Sequence, residues 1–448
     1  MTQLQLYAPS SEDSLAVSEI PCEPQHGATY TFTGLSRAAV TNLNHGLHKY
    51  PAKFIPQLPR WALDFERTDR RERVLDPFCG SGTTLVEAGI RGHHAWGFDI
   101  SPLAVEITRA KTSILKTRTD PTAILQPILR RARRLARDFE ATLRANEGQS
   151  CLGLHHTWSN WFQPADMARL IALRHAINDE VGSRRSAIAS FLLVCVSSIA
   201  KSASFLNEDQ IKVRYDKSKQ PRDPFMSFAR LVDQSLPRQA QLSALYRRGG
   251  AKFVTKVASA TDLPLPAESI DRVITSPPYI NAVDYSMAHK YNLFILDLLD
   301  PVNFKDHCRE YIGVTERAVR MRDISRKPES GIQVIDEHVD DLWNFGTPVS
   351  RNRAFVVGQF FTGMNASFAE QHRVLRRGGK AIMVIGATNR ICGSTIPTGD
   401  ILRALAERNG FRTRLLFYHL LANRSSMRLN RSSTGGIIKH ENIYVFEK

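Results

Sequence analysis

The sequence contains few cysteines, and they are widely spaced. Six occur among 448 residues. They are Cys22, Cys79, Cys151, Cys195, Cys308 and Cys392. No two of them form a CxxC pair, so we expect no zinc site or other metal centre. Scattered thiols in a chain of this length favour a reducing compartment, and we therefore expect a cytoplasmic protein.

The chain also lacks a basic leader and a long apolar run. Its first Lys or Arg is Arg37, so the sequence has no basic start of a signal peptide. The longest apolar stretch, residues 186–200, is too short and too rich in Ser and Ala to span a membrane. It predicts a buried helix. Hydrophobic residues make up 42% and charged residues 23%, values typical of a globular protein.

Acidic residues are scarce relative to basic ones. Lys and Arg total 60 against 44 for Asp and Glu, which gives a formal net charge of +16. A balance this basic favours a polyanionic partner, and nucleic acid is the commonest one. The alternative is a basic enzyme with no such partner.

Strands and helices alternate around one glycine-rich turn. Residues 73–76 predict a strand, residues 83–91 a helix, and residues 95–99 a strand that ends in an acid. This order matches the first half of a nucleotide-binding α/β sheet. The alternation resumes later in the chain. The further predicted strands are 252–257, 272–275, 381–385, 411–420 and 442–447, and the further helices are 56–65, 282–299, 368–375 and 401–409.

The stretch between the two halves of the pattern is mainly helical. We therefore expect an α/β fold with a doubly wound, mostly parallel Rossmann-like sheet and a large helical insertion at 113–250. The core domain would comprise 41–112 and 251–448, and residues 304–352 within it have an irregular, charged pattern. Residues 1–40 are polar and lack periodicity, which predicts a flexible arm with one short strand at 29–33.

The glycine turn, residues 76–82 with the sequence DPFCGSG, lies between the first strand and its helix. Gly80 and Gly82 allow close approach of a ligand, and the helix behind offers free N–H groups. The turn matches neither a Walker loop nor the dinucleotide fingerprint. Asp99 ends the second strand, where an acid can accept hydrogen bonds from both hydroxyls of a ribose. The alternative is that Asp99 is a helix N-cap, with Ser101 and Pro102 starting the next helix.

The catalytic loop, residues 275–279 with the sequence TSPPY, follows a strand directly. Two prolines stiffen it and remove two N–H donors. It therefore presents carbonyl acceptors and an aromatic face at the carboxyl edge of the sheet, where α/β proteins bind ligands. An ordinary Pro-Pro turn with a surface tyrosine is the alternative.

These segments resemble the motifs of one family. Residues 76–84 (DPFCGSGTT) and 275–279 together resemble the cofactor and catalytic motifs of the amino-DNA methyltransferases. Residues 48–54 (HKYPAKF) are similar to the third motif, which packs on the methionine part of the cofactor. The sequence Arg377-Gly378-Gly379 before a strand is similar to the later core of the same fold. The three motifs are specific only in combination.

The resemblance implies S-adenosylmethionine as the cofactor and a methyltransferase domain at 41–112 and 251–448. Asp99 would bind the ribose, Asp262 would lie beside the adenine, and Lys53 would close the methionine end. The residues expected around the cofactor are Lys53, Phe54, Asp76, Phe78, Gly80, Gly82, Asp99 and Asp262. The residues expected to hold a flipped target base are Ser276, Pro277, Pro278 and Tyr279.

The residue types of the catalytic loop suit methyl transfer to an exocyclic amine. Such an amine is a poor nucleophile because its lone pair is delocalised into the ring. The hydroxyl of Ser276 and the carbonyl of Pro277 can accept its two N–H bonds, and Tyr279 can stack on the extruded base. Methylation of cytosine C5 would need a Pro-Cys nucleophile after the cofactor motif. The only Pro-Cys pair is Pro21-Cys22, which precedes it.

Serine at position 276, rather than Asp or Asn, resembles the cytosine-N4 members of the family. We therefore expect a site-specific enzyme that acts on cytosine N4 in double-stranded DNA, with adenine N6 as the alternative. An RNA methyltransferase and an inactive DNA-binding subunit are further alternatives. A cognate restriction endonuclease is a possible partner.

Three basic segments are candidates for contact with DNA. The first is the helical insertion at 113–250, and the second is 304–352, which includes Arg317, Arg320, Arg322, Arg326 and Lys327. The third is the loop 423–439, with Arg424, Arg428 and Arg431 among serines. A solvated surface is the alternative for each.

Overall fold

A computed structural model describes residues 20–30, 37–51, 53–115, 120–182, 186–208, 213–280, 284–313, 318–420 and 440–448. The strands are β1 (Thr29–Tyr30), β2 (Arg73–Asp76), β3 (His94–Asp99), β4 (Phe253–Val257), β5 (Ile270–Thr275), β6 (Leu375–Gly386), β7 (Asn389–Ile391), β8 (Ser394–Ile396), β9 (Arg412–Leu420) and β10 (His440–Glu447).

The α-helices are α1 (Arg37–Thr41), α2 (Gln57–Asp64), α3 (Thr83–Ile90), α4 (Pro102–Thr112), α5 (Pro121–Ala145), α6 (Pro164–Val181), α7 (Ala187–Ala200), α8 (Pro224–Gly249), α9 (Tyr285–Ile295), α10 (Phe304–His307), α11 (Gln333–Trp343), α12 (Pro348–Val374) and α13 (Thr398–Arg408).

One eight-stranded sheet has the order β1-β9-β10-β6-β5-β2-β3-β4. Strand β10 runs antiparallel to its neighbours β6 and β9, while the other neighbouring pairs are parallel. The chain adds β3 and β4 on one side of β2, and then continues with β5 and β6 on the other side. The order therefore reverses between β2 and β5, and ligands of open α/β sheets bind at this reversal. The predicted α/β fold with a mostly parallel sheet is confirmed.

Helices cover both faces of the sheet because its side chains alternate between two cores. On β6, Met383 packs in a core with Phe368 of α12. The adjacent Ile382 faces the opposite core, with Trp61 of α2 and Leu85 of α3. The sheet is thus the middle layer of three, which leaves the ends of its strands free to build a site.

The long helices between β3 and β4 form a further core. It includes Leu129 of α5, Leu170 of α6, Phe191 of α7 and Phe228 of α8. Helices α4 and α9 also contribute to it, for example through Phe294. The apolar stretch predicted as a buried helix is α7. In the part of the chain that is described, none of the helices combines the length and apolar character needed to cross a bilayer.

The described part of the N-terminal arm is docked, which differs from the flexible arm predicted for 1–40. Ile20 is buried, and Trp61 Nε1 donates a 3.0 Å hydrogen bond to the carbonyl of Pro21. Strand β1 pairs with the edge strand β9, so the arm gains backbone partners that its own sequence pattern does not reveal. Residues 1–19 and 31–36, including the end of the predicted strand at 29–33, lie outside the described residues.

The region 304–352 is more regular than its sequence predicts. Helix α11 buries Ile335, Val339 and Leu342, which lie on one face at the i, i+4, i+7 spacing. Helix α12 begins at Pro348 rather than near 368, after the N-cap Thr347, whose hydroxyl accepts a bond from the backbone N–H of Ser350. Proline is compatible with the first helical position because that N–H has no intrahelical partner.

Residues 377–379, which precede the strand predicted at 381–385, are part of β6 instead. Gly378 has φ +69°, and its N–H donates to the carbonyl of Lys448 at 2.9 Å. The strand accommodates this left-handed residue because glycine carries no Cβ. Strand β6 consequently starts earlier than predicted and reaches Gly386 at the carboxyl edge of the sheet.

Candidate active site

The glycine turn joins β2 to α3 at the reversal of the strand order. Gly80 and Gly82 have φ values of +48° and +78°, in the left-handed region that favours glycine. A Cβ on Gly80 would lie 3.1 Å from Cε1 of Tyr50, and a Cβ on Gly82 would lie 2.8 Å from Oγ1 of Thr108. Tyr50 and Thr108 therefore pack closely against the turn, and this packing fixes the backbone N–H groups that a ligand would meet.

Asp76 connects the glycine turn to the catalytic loop. Its Oδ1 atom accepts a hydrogen bond from the N–H of Phe78 at 3.1 Å and one from the hydroxyl of Thr275 at 2.7 Å. Burial raises the pKa of Asp76 to about 7, although both of these bonds act in the opposite direction. The carboxyl group of Asp76 therefore links the glycine turn to the catalytic loop.

Asp99 lies at the carboxyl end of β3 and supports the same turn. Its two oxygens accept 2.9 Å bonds from the backbone N–H groups of Gly80 and Ser101. Burial raises the pKa of Asp99 to about 6. The N-cap of α4 is Ser101, whose hydroxyl accepts from the N–H of Ala104 at 3.4 Å, so the alternative interpretation of Asp99 as the cap is wrong.

A central cavity opens between these segments, with about 780 Å³ of empty space when the part open to solvent is included. Its wall comes from both halves of the sheet and from the region after α10. The lining residues are Tyr50, Pro51, Lys53, Phe54, Pro77, Phe78, Cys79, Gly80, Ser81, Thr83, Asp99, Ile100, Ser259, Ala260, Ser276, Pro278, Tyr285, Glu310, Tyr311 and Ile312. This size fits a ligand of the dimensions of a nucleoside with a substituent.

Lys53 brings a positive group to the cavity wall. Its Nζ donates to the carbonyl of His45 at 2.7 Å, and the fully buried Lys111 donates to the same carbonyl at 3.2 Å. Burial lowers the pKa of Lys53 to about 8. An anionic group in the cavity would stabilise the charged form of this lysine.

Some residues of the catalytic loop face the cavity, and the others face the sheet. Ser276 and Pro278 line the cavity, while Pro277 is buried. Tyr279 is half-buried, and its hydroxyl donates a 2.9 Å bond to Oε1 of Glu441. Successive side chains of the loop thus face the cavity and the supporting strands in turn, as they do on an extended segment.

Comparison with known proteins finds similarity to methyltransferases. A family model for N6/N4 methyltransferases, described as DNA methylase, matches residues 13–110. The type II methyltransferase M.MvaI of Kocuria varians is 24% identical over 91% of this chain and 90% of that protein. The type II methyltransferase M.BsoBI of Geobacillus stearothermophilus is 22% identical over 94% of this chain and 89% of that protein. The chain is thus similar to the N6/N4 methyltransferase family model over residues 13–110, and to type II methyltransferases over nearly its whole length.

A shorter match is to a tRNA methyltransferase. The tRNA (guanine(10)-N2)-dimethyltransferase of Methanothermobacter thermautotrophicus (strain Delta H) is 42% identical over 60 residues. This match covers 13% of this chain and 18% of that protein. The matches to the two type II methyltransferases are less identical but extend over nearly the whole chain.

Amino-DNA methyltransferases take the methyl group from S-adenosylmethionine. The central cavity fits this cofactor, because the carboxyl group of Asp99 suits a ribose diol and the ammonium group of Lys53 suits the methionine carboxylate. The residues present therefore match the polar groups of the cofactor.

The structure brings most of the expected site residues together. Lys53, Phe54, Phe78, Gly80 and Asp99 line the central cavity. Asp76 and Gly82 lie just behind its wall and support it through the contacts described above. Their proposed roles toward the cofactor, like those of the lining residues, stay predictions.

Three further expected residues, Asp262, Pro277 and Tyr279, also lie outside the cavity wall. Asp262 is exposed and is not part of the cavity wall, to which its loop contributes Ser259 and Ala260 instead. Tyr279 is also outside the wall, since its hydroxyl is bonded to Glu441. The contacts expected for these three residues, with the adenine and with a flipped base, stay predictions.

Three tyrosines of the cavity wall were not assigned a role from the sequence. Tyr50 stacks on His289 with ring centroids 4.9 Å apart, and on Tyr285 at 6.2 Å. Tyr311 follows α10 in the region singled out for its basic charge, and its neighbour Ile312 also lines the cavity. Tyr50 lies inside the recognised motif at 48–54, whereas no local pattern marks Tyr285 or Tyr311.

Proposed function

We propose that this chain transfers a methyl group from S-adenosylmethionine to the exocyclic N4 amine of cytosine at a specific site in duplex DNA. The observation that carries the proposal is the meeting of the glycine turn and the catalytic loop at the reversal between β2 and β5. The 2.7 Å bond from Thr275 to Asp76 joins them directly. A cofactor and an amine held by these two segments face each other across the central cavity.

Residues on the β2 and β3 side bind the cofactor. Asp99 accepts hydrogen bonds from the ribose, and Phe78 and Gly80 form the floor beneath it. Lys53 and Phe54 close the methionine end, with Asp76 behind the turn. When bound, the cofactor supplies a sulfonium methyl group, an electrophile that needs no activation by the protein.

Residues of the catalytic loop orient the amine. The Ser276 hydroxyl and the Pro277 carbonyl accept its two N–H bonds, which draws the nitrogen toward tetrahedral geometry. The prolines favour this arrangement because they stiffen the loop and add no competing N–H donors. Positioning of the amine then provides most of the rate. Tyr279 stacks on the extruded base.

A covalent cysteine route is disfavoured by the state of the cavity thiol. Cys79 lines the central cavity, but burial raises the pKa of its thiol well above the ordinary value. The thiolate is the nucleophilic form of cysteine. The raised pKa disfavours the thiolate, and Cys79 lies in the glycine turn rather than in the catalytic loop, so the residues favour direct transfer to an amine.

Cytosine is preferred to adenine because position 276 is serine, which resembles the cytosine-N4 members of the family. A serine hydroxyl supplies one acceptor and is shorter than Asp or Asn. Adenine N6 is the alternative within the same chemistry, since the same two acceptors can hold either amine. A restriction endonuclease that cleaves the same site is a proposed partner, because the relatives named above are type II methyltransferases.

The helical insertion is the preferred contact for the DNA backbone. In the region 304–352, Arg309, Arg320 and Lys327 form ion pairs with acids of the same region. On α5, by contrast, an arginine stripe on one helical face is exposed and forms no ion pair within the described residues. The stripe comprises Arg130, Arg133, Arg134 and Arg137. Arg317 and the basic loop 423–439 lie outside the described residues.

The test is transfer of labelled methyl groups from S-adenosylmethionine to unmethylated duplex DNA and, separately, to unmodified tRNA. We expect labelling of DNA alone. Labelling of tRNA alone would favour the short match to a tRNA methyltransferase instead. Binding of DNA without any transfer would indicate an inactive DNA-binding subunit.

A further inference from the structure

A buried carboxyl group outside the recognised motifs is bonded to the catalytic loop. Oε1 of Glu441 accepts the 2.9 Å bond from the Tyr279 hydroxyl, and Oε2 lies 3.1 Å from Nδ1 of His419. Glu441 is 5% exposed and His419 is 1% exposed. An imidazole N–H that donates to Oε2 restricts the rotation of the carboxyl group, so the second oxygen stays directed at Tyr279.

The sheet explains how residues so distant in sequence meet. Glu441 lies at the start of β10, where it pairs with His419 of β9 and with Gly386 at the end of β6. Because β10 is antiparallel to β6, its first residues lie at the edge where the parallel strands end. The catalytic loop leaves β5, the neighbour of β6, at this same edge.

The catalytic loop needs such an external support. Its prolines cannot donate backbone hydrogen bonds, so the sheet cannot fix the loop through ordinary pairing. The carbonyl of the following Ile280 accepts a 3.0 Å bond from Asn389, which holds one end. Thr275 is bonded to Asp76 at the other end. The bond to Glu441 fixes the tyrosine between these two ends.

We propose that Glu441, oriented by His419, is a positioning residue that sets the Tyr279 ring for the target base. The inference rests on the proposed function. Glu441 is outside the wall of the central cavity, and its bond to the Tyr279 hydroxyl is the link to the site on which the proposal rests. Its loss therefore slows turnover and leaves cofactor binding intact.

The first measurement compares kcat and KM on unmethylated duplex DNA for Glu441→Ala and Glu441→Gln. Glu441→Ala is expected to lower kcat by about tenfold, which corresponds to roughly 1.4 kcal/mol. Glu441→Gln keeps an acceptor oxygen at the same reach and should recover most of that loss. Calorimetric affinity for S-adenosylmethionine should stay within about twofold of wild type in both. Glu447→Ala, on the same strand but at its opposite end, is the matched control.

The second measurement is a double-mutant cycle with Tyr279→Phe, which removes only the hydroxyl. If Glu441 acts through that hydroxyl, Glu441→Ala has no further effect on kcat in the Tyr279→Phe background. An equal loss in both backgrounds would overturn the proposal, as would a kcat for Glu441→Ala equal to that of wild type.

Thermal denaturation and a second pair of variants distinguish a folding defect from a loss of positioning. If Glu441→Ala does not fold, Glu441→Asp replaces it, because its carboxyl group is one methylene too short to reach Tyr279. The expected order of kcat is then Gln above Asp, and the reverse order contradicts the proposal. Absence of transfer by the wild-type protein would instead refute the proposed function.

Discussion

The hydroxyl of Thr275 donates a 2.7 Å hydrogen bond to Oδ1 of Asp76, and both side chains are buried. The two residues end β5 and β2, the adjacent strands between which the order of the sheet reverses. Each residue begins one of the two segments on which the proposed chemistry depends. The bond therefore sets the spacing between the cofactor half and the amine half of the site.

Thr275→Val should destabilise the fold and slow turnover. Valine keeps the shape of threonine but removes the donor, and a buried group that loses its partner costs roughly 1–3 kcal/mol. Urea denaturation measures the free energy of unfolding, and kcat on duplex DNA reports the spacing of the segments. Thr275→Ser, which keeps the hydroxyl, is the control. Equal behaviour of the valine and serine variants would mean that the bond contributes nothing.

Affinity for S-adenosylmethionine should rise with pH through the pKa of Asp99. Burial places this pKa at about 6, and the ionised form accepts more hydrogen bonds from a ribose than the protonated form. We therefore expect affinity to increase from about pH 5 to about pH 7, and to decrease again above about pH 8, where Lys53 loses its charge. Asp99→Asn should bind the cofactor more weakly, by roughly 1–3 kcal/mol. Its affinity should also lack the increase with pH that the ionisation of Asp99 causes.

Asp76 also titrates in this range, because burial raises its pKa to about 7. The comparison of wild type with Asp99→Asn isolates the part of the pH dependence that is due to Asp99. Calorimetry at several pH values provides the affinities. A pH dependence that is identical in the two proteins would remove Asp99 from the cofactor site.

Ser276→Ala should reduce kcat more than it reduces affinity for DNA. The hydroxyl accepts its bond from the amine most strongly as the nitrogen becomes tetrahedral, so its loss affects the transition state more than the ground state. Tyr279→Ala should instead remove a stacking contact with the base, worth on the order of 1–3 kcal/mol. Single-turnover rates and DNA dissociation constants separate the two effects. Full activity in both variants is incompatible with a catalytic role of the loop.

Removal of the arginine stripe on α5 should make DNA binding less dependent on salt. Each arginine that neutralises a phosphate contributes about 0.9 to the slope of log affinity against log salt concentration. The variant replaces Arg130, Arg133, Arg134 and Arg137 by alanine. A matched variant with alanine at Arg320, Arg322 and Arg326 tests the other candidate region. If only the second variant lowers the slope, the DNA lies against 304–352.

The sequence was sufficient to predict the parts of the site that are local in the chain. Strand β2, the glycine turn and α3 are consecutive, so a strand pattern, two glycines and a helix pattern define them together. Asp99 follows from the same logic because it ends the next strand. The catalytic loop was predicted for a similar reason, since its prolines come directly after the buried strand β5.

The parts that were not predicted depend on contacts between distant segments. Tyr285 and Tyr311 reach the central cavity only through the packing of the helical segments around them. Glu441 is 162 residues from Tyr279 and meets it across the β5, β6 and β10 edge. The beginning of α12 was missed because buried residues such as Val356, Val357 and Gly358 are consecutive and so lie on several faces of the helix, which leaves no single amphipathic stripe to mark it.

Identification of the methylated base tests the central claim most directly. Unmethylated duplex DNA is incubated with the protein and S-adenosylmethionine, digested to nucleosides and analysed by mass spectrometry. We expect N4-methylcytosine, which is formed by wild type and strongly reduced with Ser276→Ala. Detection of N6-methyladenine alone would contradict the assignment to cytosine while retaining the family. Absence of any methylated nucleoside would contradict the account as a whole.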